Sequence, residues 1–69
     1  MSFVEDLSSR YGWPLKIHAR GYDAYLTDVQ PLLDGEVAPI YRFPGGETIV
    51  SESELLESRQ YYKEQKTIG

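Results

Sequence analysis

The sequence predicts an α+β fold, α-β-β-β-β-α, in which a four-stranded antiparallel β-meander is flanked by a short N-terminal helix and a C-terminal helix. Three observations carry this. Residues 15–20 alternate apolar and polar without a fault, the pattern of an antiparallel strand with one wet face. Two Ser-x-x-Glu boxes, Ser2 to Glu5 and Ser51 to Glu54, stand before apolar-periodic runs and mark helix starts. Between them, Gly21, Asp34-Gly35 and Pro44-Gly45-Gly46 punctuate β-rich segments. Spacers that short leave no room for a crossover, so consecutive strands pair antiparallel.

In chain order, Phe3, Leu7 and Tyr11 fall at i, i+4 and i+8, with Val4 widening the stripe, which predicts a helix from Phe3 to Tyr11 docked by that face. Gly12 closes it and Pro14 prevents its resumption. Leu15 to Arg20 is the first strand, with Leu15, Ile17 and Ala19 inward and Lys16, His18 and Arg20 outward. Ala24 to Val29 is the second, and either Ala24/Leu26 or Tyr25/Thr27/Val29 fits as its inward set. Leu32 and Leu33 in the following loop are read as plugging one end of the core, against the sharper reading of an apolar knob for a partner. Glu36 to Phe43 is the third strand; Pro39 removes a ladder donor, so either the strand is at an edge there or the amide side of that residue faces solvent. Glu47 to Val50 is the fourth. The second helix buries a face of Leu55, Leu56, Arg59 and Tyr62, gathers Arg59, Lys63 and Lys66 toward its negative end, and frays over its last few residues.

Sixty-nine residues make one domain, residues 1–69. A chain this short buries only about 60% of its unfolded surface, so extra stabilisation is expected. No cysteine is present and there is a single histidine, which excludes disulfides and cysteine-based zinc sites. Nine aromatics (six Tyr, two Phe, one Trp) serve either a dense core or self-association, and a homodimer is carried as one version of the protein. No apolar run approaches the roughly 20 residues that span a membrane. The first residues lack the basic and long apolar regions of a signal peptide, and a cytoplasmic protein is expected. A net charge of −4 argues against broad charge-driven nucleic-acid binding.

No paired histidines, phosphate-cradling loop or nucleophile elbow is present, so no catalytic residue, cofactor or metal is expected and the chain reads as a non-enzymatic, protein-interaction module. Trp13, Tyr22, Leu32 and Leu33, with Tyr25, are its candidate interface, since aromatics dominate interface hot spots. The second reading is a single-stranded nucleic-acid-binding domain that uses the outer sheet face. Lys16, His18 and Arg20 stand in a row on the first strand, Arg42 joins them if the hairpin register allows, and Tyr25 supplies stacking surface. That register rests on whether Phe43 pairs with Glu47 across Pro44-Gly45-Gly46, or the loop is Gly45-Gly46 alone.

Overall fold

The computed structural model describes residues 2–68, with side chains described for residues 2–65. The architecture is the expected one: α1 (Phe3–Tyr11), β1 (Lys16–Ala19), β2 (Tyr22–Pro31), β3 (Val37–Phe43), β4 (Gly46–Ile49) and α2 (Glu52–Ile68), with the strands in one antiparallel sheet in the order β1-β2-β3-β4. Lys66 and the predicted frayed end fall beyond the described side chains. Both helices are capped as expected at Ser2 and Ser51, but the reciprocal box closes only at Ser51; at α1 the Glu5 carboxylate accepts from the Ser2 hydroxyl rather than from the Ser2 amide. The amide of Glu5 donates to Ser2 Oγ at 3.2 Å, and at α2 the amides of Glu54 and Ser51 donate reciprocally to Ser51 Oγ and Glu54 Oε1 at 3.3 and 3.4 Å.

The inner face of the sheet holds the core: Ile17, Ala24, Leu26, Tyr41 and Phe43, closed by Leu7 from α1 and by Val50 and Leu55 at the start of α2. Tyr41 lies at its centre, fully buried. Its hydroxyl donates to the Pro14 carbonyl, which pins the loop after α1 to the third strand. Burial raises its phenol well above the ordinary value, with Arg59 opposing, so it stays a donor throughout the ordinary pH range.

Two local devices set the shape. At the first hairpin Ala19 pairs with Tyr22, which leaves the two-residue loop Arg20-Gly21, with φ of 55° and 80°. Positive φ at both corners is the type I′ turn that suits the strand twist. Arg20 is therefore outside β1, not in it as expected, and at the other end Leu15 precedes the strand and stands exposed rather than inward. Within β2 the register to β3 slips between Leu26 and Asp28, making Thr27 a β-bulge; its hydroxyl donates to the Ile40 carbonyl at 3.2 Å. The bulge reverses the facing. Ala24 and Leu26 point inward before it and Val29 packs on the core after it, so each of the two inward sets applies to half of the strand.

At the second hairpin Phe43 pairs with Gly46 and Arg42 with Glu47, across a loop of Pro44-Gly45. This is neither expected register. Gly46 carries the demanding backbone, φ 135°, which a side chain disfavours. Tyr41 and Phe43 stay inward and Arg42 outward, but Thr48 now lies opposite Tyr41 and Ile49 opposite Ile40 on the outer side.

Three packing expectations are corrected. Of the α1 stripe only Leu7 is buried: Phe3 is 59% exposed and Tyr11 stacks on Trp13 instead, ring centroids 4.4 Å apart. Leu32 and Leu33 do not plug the core but stand exposed, because the β2–β3 ribbon carries their loop past the ends of β1 and β4. On α2 the inward face runs through Leu55 and Ser58, while Leu56 is 62% exposed.

Replacing Tyr41 by Phe removes only the hydroxyl and should cost about 1 kcal/mol, the usual worth of one such bond, whereas Tyr41→Ala should cost about 3–5 kcal/mol through the cavity it leaves. Urea denaturation measures both; a Phe variant as stable as the parent would mean that the Pro14 tie holds nothing.

Candidate functional site

The candidate residues divide between the outer face of the sheet and grooves at its ends. On the outer face, cross-strand pairing aligns Lys16, Tyr25, Arg42 and Glu47 in one row across all four strands. His18 and Asp23 form the adjacent pair. Four of the five residues expected on a nucleic-acid face, Lys16, His18, Tyr25 and Arg42, thus share one side. Arg20 does not.

Each basic side chain there already has a carboxylate partner. Arg42 binds Glu47 Oε1 at 2.8 Å, Lys16 Nζ is 3.7 Å from Asp23 Oδ2, and His18 Nδ1 is 3.1 Å from Asp23 Oδ1. The His18 hydrogen bond, helped by the Lys16 and His18 charges, holds the Asp23 carboxyl below its ordinary value. His18 is also sandwiched by structure. Its ring stacks on Tyr61 of α2 at 3.9 Å, and its backbone N–H, on the free edge of β1, donates to Ser58 Oγ at 2.9 Å. Ser58 is 1% exposed. A buried hydroxyl facing an edge amide satisfies a donor that would otherwise be orphaned.

Arg20, turned out of the strand by its positive φ, serves the opposite edge. Its guanidinium grips Glu54 through two bonds of 2.6 and 2.9 Å, reaches the outward Ile49 carbonyl of β4 at 3.3 Å and lies 5.0 Å from the centre of the Phe43 ring. A bidentate, planar pair of this kind is specific to arginine. The Arg20 bond, aided by the Ser51 cap, lowers the Glu54 carboxyl, with partial burial opposing. A groove beside it is lined by Arg20, Tyr22, Phe43 and the hairpin loop.

The interface candidates split likewise. Trp13 and Leu32 meet in one groove of about 540 Å³, with Val37, Pro39, Ile49 and Leu55, and with Asp34, Glu36 and Glu52 at its polar positions. Leu33, fully exposed, is the next residue along the loop. Tyr22 lies at the Arg20 groove instead. Trp13 is also shared with a second groove, where Tyr11, Leu56 and Arg59 join it.

Sequence reasoning missed Ser58 and Glu54 as partners of the two sheet edges. Ser58 shows no signal beyond its place three residues after Leu55; Glu54 was absorbed by its capping role. Among the described residues no group of three His, Cys, Asp or Glu could hold a metal ion, and no helix is long and apolar enough to cross a membrane.

The pH dependence follows from Glu54. Its folded pKa lies below the ordinary 4.5, so the Arg20 pair stabilises the fold above that value and the contribution is lost as pH falls through the lowered one. Glu54→Gln should therefore flatten the acid side of a stability-against-pH curve measured by thermal melts. An acid limb unchanged from the parent would show that Arg20 does not favour the charged carboxylate.

No protein-family model matches this chain, and neither does any curated protein or solved structure.

Proposed function

We propose that this protein is a small interaction module whose binding surface is the groove between Trp13 and the β2–β3 loop. The observation that carries this is one juxtaposition: a half-buried tryptophan and Leu32 line a groove of about 540 Å³, while the fully exposed Leu33 stands beside it. Apolar side chains exposed side by side next to a concavity are costly in water and are the usual make-up of a recognition surface.

The occupant is a partner segment with apolar anchors and flanking Lys or Arg. The groove's charged positions, Asp34, Glu36 and Glu52, are all acidic, and the chain carries −4 overall, so a basic partner is drawn in and a second copy of the same rim is repelled. The nucleic-acid reading has less to stand on, since Lys16, Arg20 and Arg42 each already face a carboxylate, and a polyanion would have to displace it.

Trp13 is the only tryptophan, so its emission reports occupancy of the groove. Peptides with Leu or Phe anchors flanked by Lys should give a saturable blue shift, and the same anchors flanked by Glu should not. Leu33→Asp, at a fully exposed position, should weaken binding about tenfold or more, equivalent to about 1.4 kcal/mol, with the melting temperature unchanged. Light scattering beside it should return a constant monomer mass. Silence of Trp13 toward every peptide overturns the reading, as does a concentration-dependent doubling of mass with the same blue shift, which would put a second copy in the groove.

A further inference from the structure

A different concavity, independent of the Trp13 groove, lies where α2 crosses the start of β1. It is a depression of about 300 Å³ lined by Pro14, Lys16, Ser58, Arg59, Tyr62 and Lys63. We infer that it is a binding site for a small anion carrying a flat apolar group, such as an aryl phosphate.

The charge distribution points that way first. Three of the chain's seven Lys and Arg residues line this one depression, and no carboxylate does. The Trp13 groove, its neighbour at Tyr11 and the Arg20 groove each include Asp or Glu. On a chain of net charge −4, a hollow whose charged lining is all cationic is a local exception, and low-dielectric walls concentrate its field; Asp23 reaches Lys16 from outside the lining at 3.7 Å, and an anion in the hollow exchanges that one contact for its own.

Arg59 adds a second observation. Arg10, Arg20 and Arg42 are each held by a carboxylate, whereas Arg59 donates to a neutral group, the Gly12 carbonyl at 3.4 Å. Its charge is therefore not neutralised by that contact, and its planar fork suits two anion oxygens. The third is Tyr62. Its hydroxyl is buried with no hydrogen-bond partner among the described residues, an arrangement that folded proteins avoid unless something else completes it.

The apolar requirement comes from the rest of the lining. Pro14 and Tyr62 are part of the lining, the long side chains of Lys16, Arg59 and Lys63 carry apolar stems below their charges, and a volume near 300 Å³ is at the small end of ligand pockets. An inorganic ion would leave that lining wet; a ring would cover it, with the anionic head toward the cations.

The test is a backbone-amide NMR titration with phenyl phosphate, beside inorganic phosphate, anilinium and a short oligothymidylate. Phenyl phosphate should produce saturable shifts centred on Lys16, Ser58, Arg59, Tyr62 and Lys63, and bind at least about tenfold more tightly than inorganic phosphate, with anilinium silent. Lys16→Ala, at a half-exposed side chain, should weaken phenyl phosphate about tenfold while leaving the melt unchanged; Lys63→Gln should act in the same direction. Equal affinity for inorganic and phenyl phosphate overturns the inference, because the hollow would then be a charge patch only. So does phenyl phosphate affinity indifferent to both lysine substitutions, or oligothymidylate shifting Tyr25 and Arg42 while phenyl phosphate shifts nothing.

Discussion

The hydrogen bond from the His18 amide to Ser58 is the contact on which the rest of this small protein depends. α2 is a polar helix, and by apolar burial alone it has little to hold it: Leu55 is its one buried hydrophobic residue among the described side chains. The bond gives it a fixed seat on the open edge of β1, and the stack of Tyr61 on His18 sets its rotation. Once seated, α2 supplies residues to the Trp13 groove, to its neighbour at Tyr11 and to the cationic hollow. The same bond removes β1 as a template for unwanted pairing, and Arg20 does the corresponding work at β4 by taking the Ile49 carbonyl. Both edges of a four-stranded sheet are thereby blunted with two side chains.

A missing donor shapes the Trp13 groove. The β3–β4 ladder pairs Ile40 with Ile49, and the Val50 amide still donates to the Pro39 carbonyl at 3.0 Å. A complete narrow pair would exchange a second bond, but proline has no N–H to return. The ladder ends there, the chain turns at Ser51 into α2, and β3 runs on beside β2 alone. The unpaired continuation of that ribbon, with Leu32 and Leu33 at its tip, is one wall of the groove. α2 and Trp13 form the other.

How much of this was legible in the chain depends on how local the cause is. Both N-caps, the bounds of α1 and the order of the strands follow from interactions a few residues apart, and they read correctly from Ser2, Ser51, Gly12 and the alternation around Ile17. Register did not. A turn of Pro-Gly-Gly admits several pairings, and the choice falls to the burial of Tyr41 and Phe43 against residues far along the chain. The facing of β2 was ambiguous for a physical reason, since a bulge at Thr27 makes both patterns true in turn. Arg20 read as the last member of an alternating strand because alternation continues through a type I′ corner. The Trp13 and Leu32 pairing was only half legible: both were picked as exposed anchors, but Tyr22 was picked with them, and only the fold separates it from the groove.

The most direct test of this account is amide hydrogen exchange at His18. An edge-strand N–H facing solvent exchanges as readily as any exposed amide, whereas one held by a buried hydroxyl opens only with the helix that carries it. The account predicts that the His18 amide is protected to the level of Leu26, whose amide bonds the Leu15 carbonyl within the sheet, and that Ser58→Ala abolishes that protection while leaving Leu26 slow. Exchange at His18 as fast as at an unprotected loop amide, with Leu26 protected in the same sample, would contradict it and leave α2 without its seat.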